Sequence, residues 1–259
     1  MRRSRFPCVV GCVSVVYVAA AFGWPWSQRP ICETAAPRVI ANGVSYSCEN
    51  DELGARAVFR VSLRDADIRV SLTQRPVLLE SHLLRQQGAV LAVNAGNLGT
   101  NGLPAGLVVK NGHQLQPVRP SDETAVLWLG DGRAGIAHSK QWLISAKSPP
   151  DPHLNGAIEA LQVLHRIIVR GHSVQTIAAT DAWSIACVGD GAVTFIITSK
   201  AEIRALADML QHESRCADAT LLDGNIQAGF AVSTASLRRS ISTTAGAAFV
   251  VLPHEKGAK

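Results

Sequence analysis

Residues 199–225 read SKAEIRALADMLQHESRC followed by ADATLLDGN. Ser199 and Glu202 have the spacing of a helix capping box, and apolar residues then recur at i, i+3, i+4 and i+7 from position 203. The pattern predicts a helix with one apolar face that packs on a sheet. After it, the apolar run at 219–222 predicts a short buried strand that ends at Asp223, where a glycine lets the chain turn. A carboxylate at such a strand end is a candidate site residue.

The composition excludes some classes of partner. The chain has 259 residues, 47% of them hydrophobic, which is enough for one large domain or two small ones with a substantial core. The net charge of +5 comes from scattered arginines, with no basic run longer than Arg-Arg and no interleaved aromatics. We therefore interpret the charge as a solvated surface and expect no nucleic-acid partner. The high alanine and arginine content favours a bacterial origin.

The N-terminal segment predicts export. Arg2, Arg3 and Arg5 precede an apolar stretch from Pro7 to Trp24, and Ala19-Ala20-Ala21 supplies small residues for cleavage. The stretch is a signal peptide or an uncleaved N-terminal anchor, and its length fits both. We expect an exported protein, periplasmic or secreted, that contacts a membrane only through such an anchor.

Four cysteines lie outside this segment: Cys32, Cys48, Cys187 and Cys216. An even number in an exported chain predicts two disulfides. Of the three possible pairings, we favour Cys32–Cys48 with Cys187–Cys216 because it closes the shortest loops. The sequence has no Cys-x-x-Cys motif and its eight histidines are dispersed. We therefore expect no metal and no cofactor.

The chain divides into an N-terminal segment (1–24), a partly irregular lead-in with two cysteines (25–54) and a globular domain (55–254). Within the domain, alternating residues at 57–63 and 67–72 predict an antiparallel strand pair. Two stretches have the spacing of short helices, at 77–87 and at 157–164.

Turn residues predict three further hairpins, at Asn111-Gly112, Asp131-Gly132 and Gly189-Asp-Gly191. An apolar run at 89–93 predicts a buried strand that leads into a loop at 94–102 with three Gly and three Asn. Such a loop can present N–H groups and side-chain amides, although its composition also fits a long hairpin turn. Hairpins with a few helices predict an α+β fold, a hairpin-rich mixed or antiparallel sheet with two or three packed helices.

Several motifs in this order resemble the phosphodiester glycosidase domain family over about residues 57–252. They are Asn94-Ala-Gly96 after a buried strand, Pro104-x-Gly106-Leu-Val-Val with Asn111-Gly112, the Gly189-Asp-Gly191 hairpin, and Cys216 followed by Ala219-x-x-Leu222-Asp223-Gly224. The resemblance implies a hydrolase that releases a sugar from a phosphodiester by cleaving at the anomeric carbon. Its substrate would be a small molecule or a glycan.

That reaction needs a carboxylate near the anomeric carbon and hydrogen-bond donors for the phosphate. The resemblance implies that Asp223 is the carboxylate and that Asn94 is a catalytic donor. Candidate substrate-binding residues are Gly96, Asn97, Gly224, Asn225, Lys110, His165 and Arg166. Asp223 also fits a turn residue that caps its own loop, and each basic residue also fits a surface charge.

The chain departs from the family pattern in three places, one of which is Asn225-Ile-Gln-Ala228, where small Gly or Ser residues are expected after Leu-Asp-Gly. An arginine expected before the Gly-Asp-Gly hairpin is missing from Thr180-Asp-Ala-Trp-Ser184, where Asp181 takes its place, and a Ser-Gly-Pro is replaced by 163–166. The lost guanidinium is the group best suited to a phosphate, and Lys110, Arg166 or Arg170 would have to substitute for it. Three hypotheses stay open: an exported hydrolase that uses Asp223, a catalytically degenerate member that binds envelope glycans or a protein, and a secreted structural domain.

Overall fold

The structure, a computed structural model, describes residues 31–32, 35–96, 99, 103–142, 156–174, 178–212, 216–224, 228–241 and 243–255. The predicted signal peptide or anchor and the candidate residues Asn97 and Asn225 lie outside these ranges. None of the helices in the described ranges is long and apolar enough to span a membrane.

The described elements are mostly strands, in chain order β1 Ala35–Ala41, β2 Val44–Asp51, β3 Gly54–Ser62, β4 Ala66–Leu78, β5 Leu91–Asn94, β6 Val108–Lys110, β7 His113–Gln116, β8 Ala125–Gly130, β9 Arg133–His138, β10 Glu159–Val163, β11 Arg166–Val169, β12 His172–Ser173, β13 Thr180–Asp181, β14 Trp183–Gly189, β15 Ala192–Thr198, β16 Ala201–Glu202, β17 Asp218–Gly224, β18 Phe230–Ser233, β19 Arg238–Ser240 and β20 Thr244–Pro253. Helix α1 spans Leu79–Leu84 and helix α2 spans Ile203–His212. Residues 139–142 form a further helical turn.

The strands form antiparallel sheets. Sheet I has eight strands in the order β1-β2-β3-β15-β14-β17-β11-β12, sheet II has the order β19-β18-β5-β20-β4, and sheet III has the order β7-β6-β10-β8-β9. Strands β13 and β16 form a separate pair. The main core lies between sheet I on one side and sheets II and III on the other.

Aromatic pairs hold sheets I and II together. Phe59 of β3 lies against Phe230 of β18 with ring centroids 4.9 Å apart, and Phe195 of β15 lies 6.2 Å from Phe249 of β20. All four rings are fully buried. Each pair joins one ring from sheet I to one from sheet II, so the core is that of a β-sandwich.

The two helices cover the outer faces of the sandwich rather than its centre. Helix α2 buries the predicted apolar face against the outside of sheet I, and α1 packs on the outside of sheet II. The predicted cap of α2 is wrong in detail, since the carboxylate of Glu202 accepts the backbone N–H groups of Arg204 (3.2 Å) and Ala205 (2.9 Å). Glu202 therefore takes the place expected for Ser199.

The predicted α+β class is wrong, because the fold is mostly β with four antiparallel sheets and short helices. Residues 157–164, predicted as a helix, contain β10, whose five residues are all buried in sheet III. A short apolar run of this kind fits a buried strand and a buried helix equally well. The core is sheet on sheet, so the helices are not central packing elements.

Strand pairing also differs from the prediction. Strands β3 and β4 are not partners, because β3 pairs with β2 and β15 in sheet I whereas β4 pairs with β20 in sheet II. The chain crosses between the sheets at residues 63–65. Residues 35–51, expected within a partly irregular lead-in, form β1 and β2 of sheet I.

The predicted hairpin turns and disulfides are confirmed. The hairpins at Asn111-Gly112, Asp131-Gly132 and Asp190-Gly191 are all present, and both residues of each turn have positive φ, from 49° to 76°. Both favoured disulfides are present, Cys32–Cys48 and Cys187–Cys216, with Cα atoms 5.9 Å and 5.3 Å apart. The second ties β14 to the start of β17.

Candidate active site

Asn94 ends β5 inside the sandwich and is fully buried. Its Oδ1 accepts hydrogen bonds from Ser184 Oγ (2.7 Å) and from the backbone N–H of Gly229 (3.0 Å). Ser184 lies at the start of β14 in sheet I, so the first of these bonds joins the two sheets. The Gly229 N–H also lies 3.1 Å from Ser184 Oγ, so Asn94, Ser184 and Gly229 all contact one another. We call these three residues the Asn94 group.

These contacts fix the orientation of the Asn94 amide. A backbone N–H can only donate, so the atom that faces Gly229 must be the amide oxygen. The Nδ2 group therefore points away from Ser184 and Gly229, and it is buried without a hydrogen-bond partner among the residues that the structure describes. A buried donor left unpaired costs about 1–3 kcal/mol, which makes Nδ2 a site where a ligand oxygen would be bound favourably.

The register of β17 against β14 places Asp223 next to Ser184 and so next to the Asn94 amide. It lies directly opposite Ser184 in the pairing of β17 with β14, and a bulge separates this pair from the next, Ile185 with Leu221. Residues directly opposite each other on antiparallel strands share a face of the sheet. The Asp223 side chain therefore lies on the face from which Ser184 reaches Asn94, and the residue is 8% exposed. Because of the bulge, Leu222 packs in the core while Asp223 stays opposite Ser184.

Two glycines shape the group. A Cβ at Gly229 would lie 2.7 Å from Thr243 Cγ2 and 3.0 Å from the carbonyl oxygen of Ile241, so only glycine brings this N–H to Asn94. Gly96 has φ +110°, a conformation that side chains disfavour, and its Cα lies where the chain leaves β5. Both positions therefore favour glycine, one through crowding and the other through backbone conformation.

The predicted basic substrate ligands lie on β6 and at the start of β11, and their roles stay predictions. Lys110, at the end of β6, is close enough to influence the pKa values of Glu159 and His82. Arg166 lies opposite Thr220, three residues along β17 from Asp223, or roughly 10 Å, and its charge also acts on Asp218. His165 contributes its backbone carbonyl, which accepts the N–H of Leu221 at 2.9 Å.

Asp181, which stands in place of the expected arginine, forms part of the β13–β16 pair. Its carboxylate accepts the N–H of Ala182 at 2.8 Å, a local turn contact. Gly224 ends β17 opposite Trp183, next to the Asp223–Ser184 pair. Within the described ranges, no three His, Cys, Asp or Glu side chains are grouped so that they would hold a metal ion.

Ser184 and Gly229 were not identified from the sequence. The only sequence signal for Ser184 is a hydroxyl at the start of the apolar strand β14, and many such hydroxyls merely bond their own backbone. Gly229 lies outside every motif quoted above. Their involvement depends on how two sheets pack, which no local pattern reports.

A family model described as phosphodiester glycosidase matches residues 87–251. No curated protein sequence is significantly similar to the chain. Among solved structures, the catalytic domain of zebrafish N-acetylglucosamine-1-phosphodiester alpha-N-acetylglucosaminidase, auto-inhibited by its pro-peptide, has a TM-score of 0.57 at 15% identity, covering 89% of this chain and 85% of its own.

Two bacterial structures are similar to a comparable degree. A hypothetical protein from Synechocystis has a TM-score of 0.56 at 14% identity, covering 82% of this chain and 62% of its own. A candidate exported protein from Burkholderia pseudomallei has a TM-score of 0.54 at 11% identity, covering 83% of this chain and 76% of its own. At these identities the likeness concerns the fold alone.

Proposed function

The chain belongs to the phosphodiester glycosidase family, and from this premise we propose that it is an exported hydrolase that releases a sugar from a phosphodiester at Asn94, Ser184 and Asp223. The proposal is carried by one observation: Asn94 Nδ2 is buried beside the Asp223 strand end and has no hydrogen-bond partner in the described part of the chain. A buried donor without an acceptor destabilises the folded protein, whereas a substrate oxygen would accept its hydrogen bond.

Each residue has a distinct role in this proposal. Asp223 supplies the carboxylate near the anomeric carbon, where positive charge develops as the bond to the phosphate breaks. Phosphate is a good leaving group, so the reaction does not depend strongly on an acid. Asn94 Nδ2 donates to a sugar hydroxyl or to a phosphate oxygen, with backbone N–H groups around Gly96 and Gly224 as further donors.

Ser184 is a positioning residue. Its hydroxyl donates to Asn94 Oδ1 and accepts the N–H of Gly229, so it holds the amide in the orientation that presents Nδ2. It also lies opposite Asp223 in the strand pair. Ser184 therefore links the donor and the carboxylate without contacting the reacting atoms.

Export is part of the same proposal. Two disulfides are typical of proteins that fold outside the cytosol. The similar Burkholderia structure is described as a candidate exported protein. Together with the sequence of residues 1–24, these features support a periplasmic or secreted protein with a signal peptide or an N-terminal anchor.

One observation favours the second candidate function, a degenerate member that binds a glycan or a protein without turnover. The expected arginine is absent, and Asp181, which stands in its place, bonds locally. A phosphate at the Asn94 group would then be bound by neutral donors, which bind it more weakly than a guanidinium does.

Hydrolysis of a panel of chromogenic sugar-1-phosphodiesters by the oxidised protein tests the proposal. We expect turnover that Asp223→Asn abolishes and that the matched control Asp190→Asn preserves, because Asp190 occupies a hairpin turn whose positive φ asparagine also adopts. Absence of turnover with folded protein contradicts hydrolysis. Retained binding of a sugar phosphate would then favour the second candidate function.

A further inference from the structure

A cleft of about 630 Å³ lies outside the Asn94 group. It is lined by the β3–β4 connection, the β8–β9 turn, the start of β10 and His254. The N–H of Leu63 in this cleft bonds the carbonyl of Gly191, in the turn that follows β14, whereas Ser184 begins that strand. The length of β14, roughly 17–20 Å, therefore separates this edge of the cleft from the Asn94 group, whereas Arg69 lies opposite Val250 of β20, which also pairs with Ala92, two residues before Asn94.

Three arginines line the cleft: Arg64, Arg69 and Arg133. Arg69 Nη2 is held by Asp67 Oδ2 at 3.1 Å, and Asp67 Oδ1 also bonds His254 Nε2 at 3.0 Å. This network places Arg69 and His254 at the cleft, and the charges of Arg69 and Asp67 offset each other, so the positive charge of the cleft comes from Arg64 and Arg133. The side chain of Arg133 forms no hydrogen bond or ion pair with any residue that the structure describes.

The remaining acidic groups do not cancel this positive charge. Glu159 is 3% exposed, and its carboxyl oxygens accept the N–H groups of Val70 (2.9 Å) and Asn111 (3.1 Å). Burial raises the pKa of Glu159, whereas the two N–H donors and the charges of Lys110 and Arg69 act to lower it. Arg64 lies 3.6 Å from Asp65, but its side chain is 85% exposed, so this pair is weak. Asp131 is the one exposed carboxylate in the lining.

The cleft also has an apolar wall. Ile158 is 45% exposed, which is unusual for a large aliphatic side chain, and Leu129 and Leu63 line the same space. The volume is in the range of small-molecule sites, about 300–1,000 Å³. Arginine side chains bind carboxylate and phosphate groups through two parallel N–H donors.

We propose that this cleft binds a carboxylate- or phosphate-bearing ligand the size of a small oligosaccharide, held by Arg69 and Arg133, with its less polar face against Ile158. The site is independent of the proposed hydrolysis, since none of its residues belongs to the Asn94 group. The possible ligands share an anionic carboxylate or phosphate group attached to a molecule of the size of a sugar.

Calorimetric titration of the full oxidised chain tests this site with three probes: trigalacturonate, glucose 1-phosphate and neutral maltotriose. We expect at least one acidic probe to bind and maltotriose not to bind. Arg133→Gln and Arg69→Gln should each weaken binding about tenfold or more. The matched control Arg238→Gln, an exposed arginine on β19, and Asp223→Asn should both bind as the wild type does.

Arg133→Gln is the more informative variant, because no described contact of its side chain is lost and the fold is expected to be unaffected. Equal binding of maltotriose, wild-type affinity in both cleft variants, or no binding of either acidic probe would overturn the proposal. Loss of binding in Asp223→Asn would assign the probe to the Asn94 group and would also contradict it.

Discussion

Ser184 Oγ donates a hydrogen bond to Asn94 Oδ1 at 2.7 Å, and this bond joins β14 of one sheet to β5 of the other. Both residues are fully buried. The aromatic pairs join the two sheets in the core, and this hydrogen bond joins them at the end where Asp223 lies. Site geometry and sheet packing are therefore coupled in this protein.

Ser184→Ala is expected to lower kcat by roughly tenfold or more while KM changes less, because the variant frees the Asn94 amide to rotate without removing it. The unfolding free energy should fall by about 1–2 kcal/mol, since one buried hydrogen bond is lost and the Gly229 N–H loses one of its two acceptors. Steady-state kinetics and urea denaturation measure both effects.

Ser184→Thr is the matched control, because it keeps the hydroxyl and suits a strand. It should recover most of the rate lost in the alanine variant. If alanine and threonine variants lose kcat equally, or if alanine changes stability alone, Ser184 is a structural residue and not a positioning residue.

Gly229→Ala is expected to destabilise the fold by about 1–3 kcal/mol, because its Cβ would lie 2.7 Å from Thr243 Cγ2 and 3.0 Å from the Ile241 carbonyl oxygen. The displaced N–H would also weaken the Asn94 orientation. Adding Thr243→Ser removes the closer of the two clashes and keeps a hydroxyl, so the double variant should recover part of the stability. A Gly229→Ala protein as stable as the wild type would show that the local backbone moves freely.

Local features of the sequence account for the parts of the fold that were predicted. Asn-Gly and Asp-Gly turns specify hairpins through φ, and the 3.6-residue period specifies the buried face of α2. The sheet that each strand joins is a non-local property. For this reason β3 and β4, adjacent in sequence, were assigned wrongly as partners, and the buried strand β10 was assigned as a helix.

The same distinction applies to the candidate site. Asn94 and Asp223 were identified from their positions near a strand end and a glycine and from the family resemblance, and their catalytic roles stay predictions. Their proximity depends on the bulge after Ser184 and on the packing of sheets I and II, neither of which has a pattern in the sequence. Lys110 and Arg166 were assigned as candidates by charge alone, and the fold places Arg166 opposite Thr220 of β17.

His82 on α1 gives the protein a predictable acid sensitivity. Its Nε2–H donates to the Ala245 carbonyl at 3.0 Å, and its Nδ1 accepts the hydroxyl of Ser71 at 2.9 Å, so the neutral ring satisfies both partners. Burial is the largest effect that lowers the pKa of His82, and the charges of Arg85 and Lys110 lower it further. Protonation is therefore less favourable in the folded protein than in the unfolded chain.

The sign of the pH effect follows from this direction. Between the lowered folded pKa and the unfolded value of about 6.5, the unfolded chain binds more protons, so unfolding becomes easier as the pH falls. The contribution is fully present above pH 6.5 and is lost as the pH falls through the folded pKa. Its slope approaches, at most, about 1.4 kcal/mol per pH unit for one proton.

Urea denaturation at a series of pH values from 8 to 5 measures this slope. His82→Asn should be less stable at pH 7.5, because the helix loses its buried bonds to sheet II, and its stability should depend less on pH below 6.5. The exposed control His172→Asn should keep the wild-type slope. A wild-type slope in His82→Asn would mean that another group causes the acid sensitivity, and that His82 contributes only packing between α1 and sheet II.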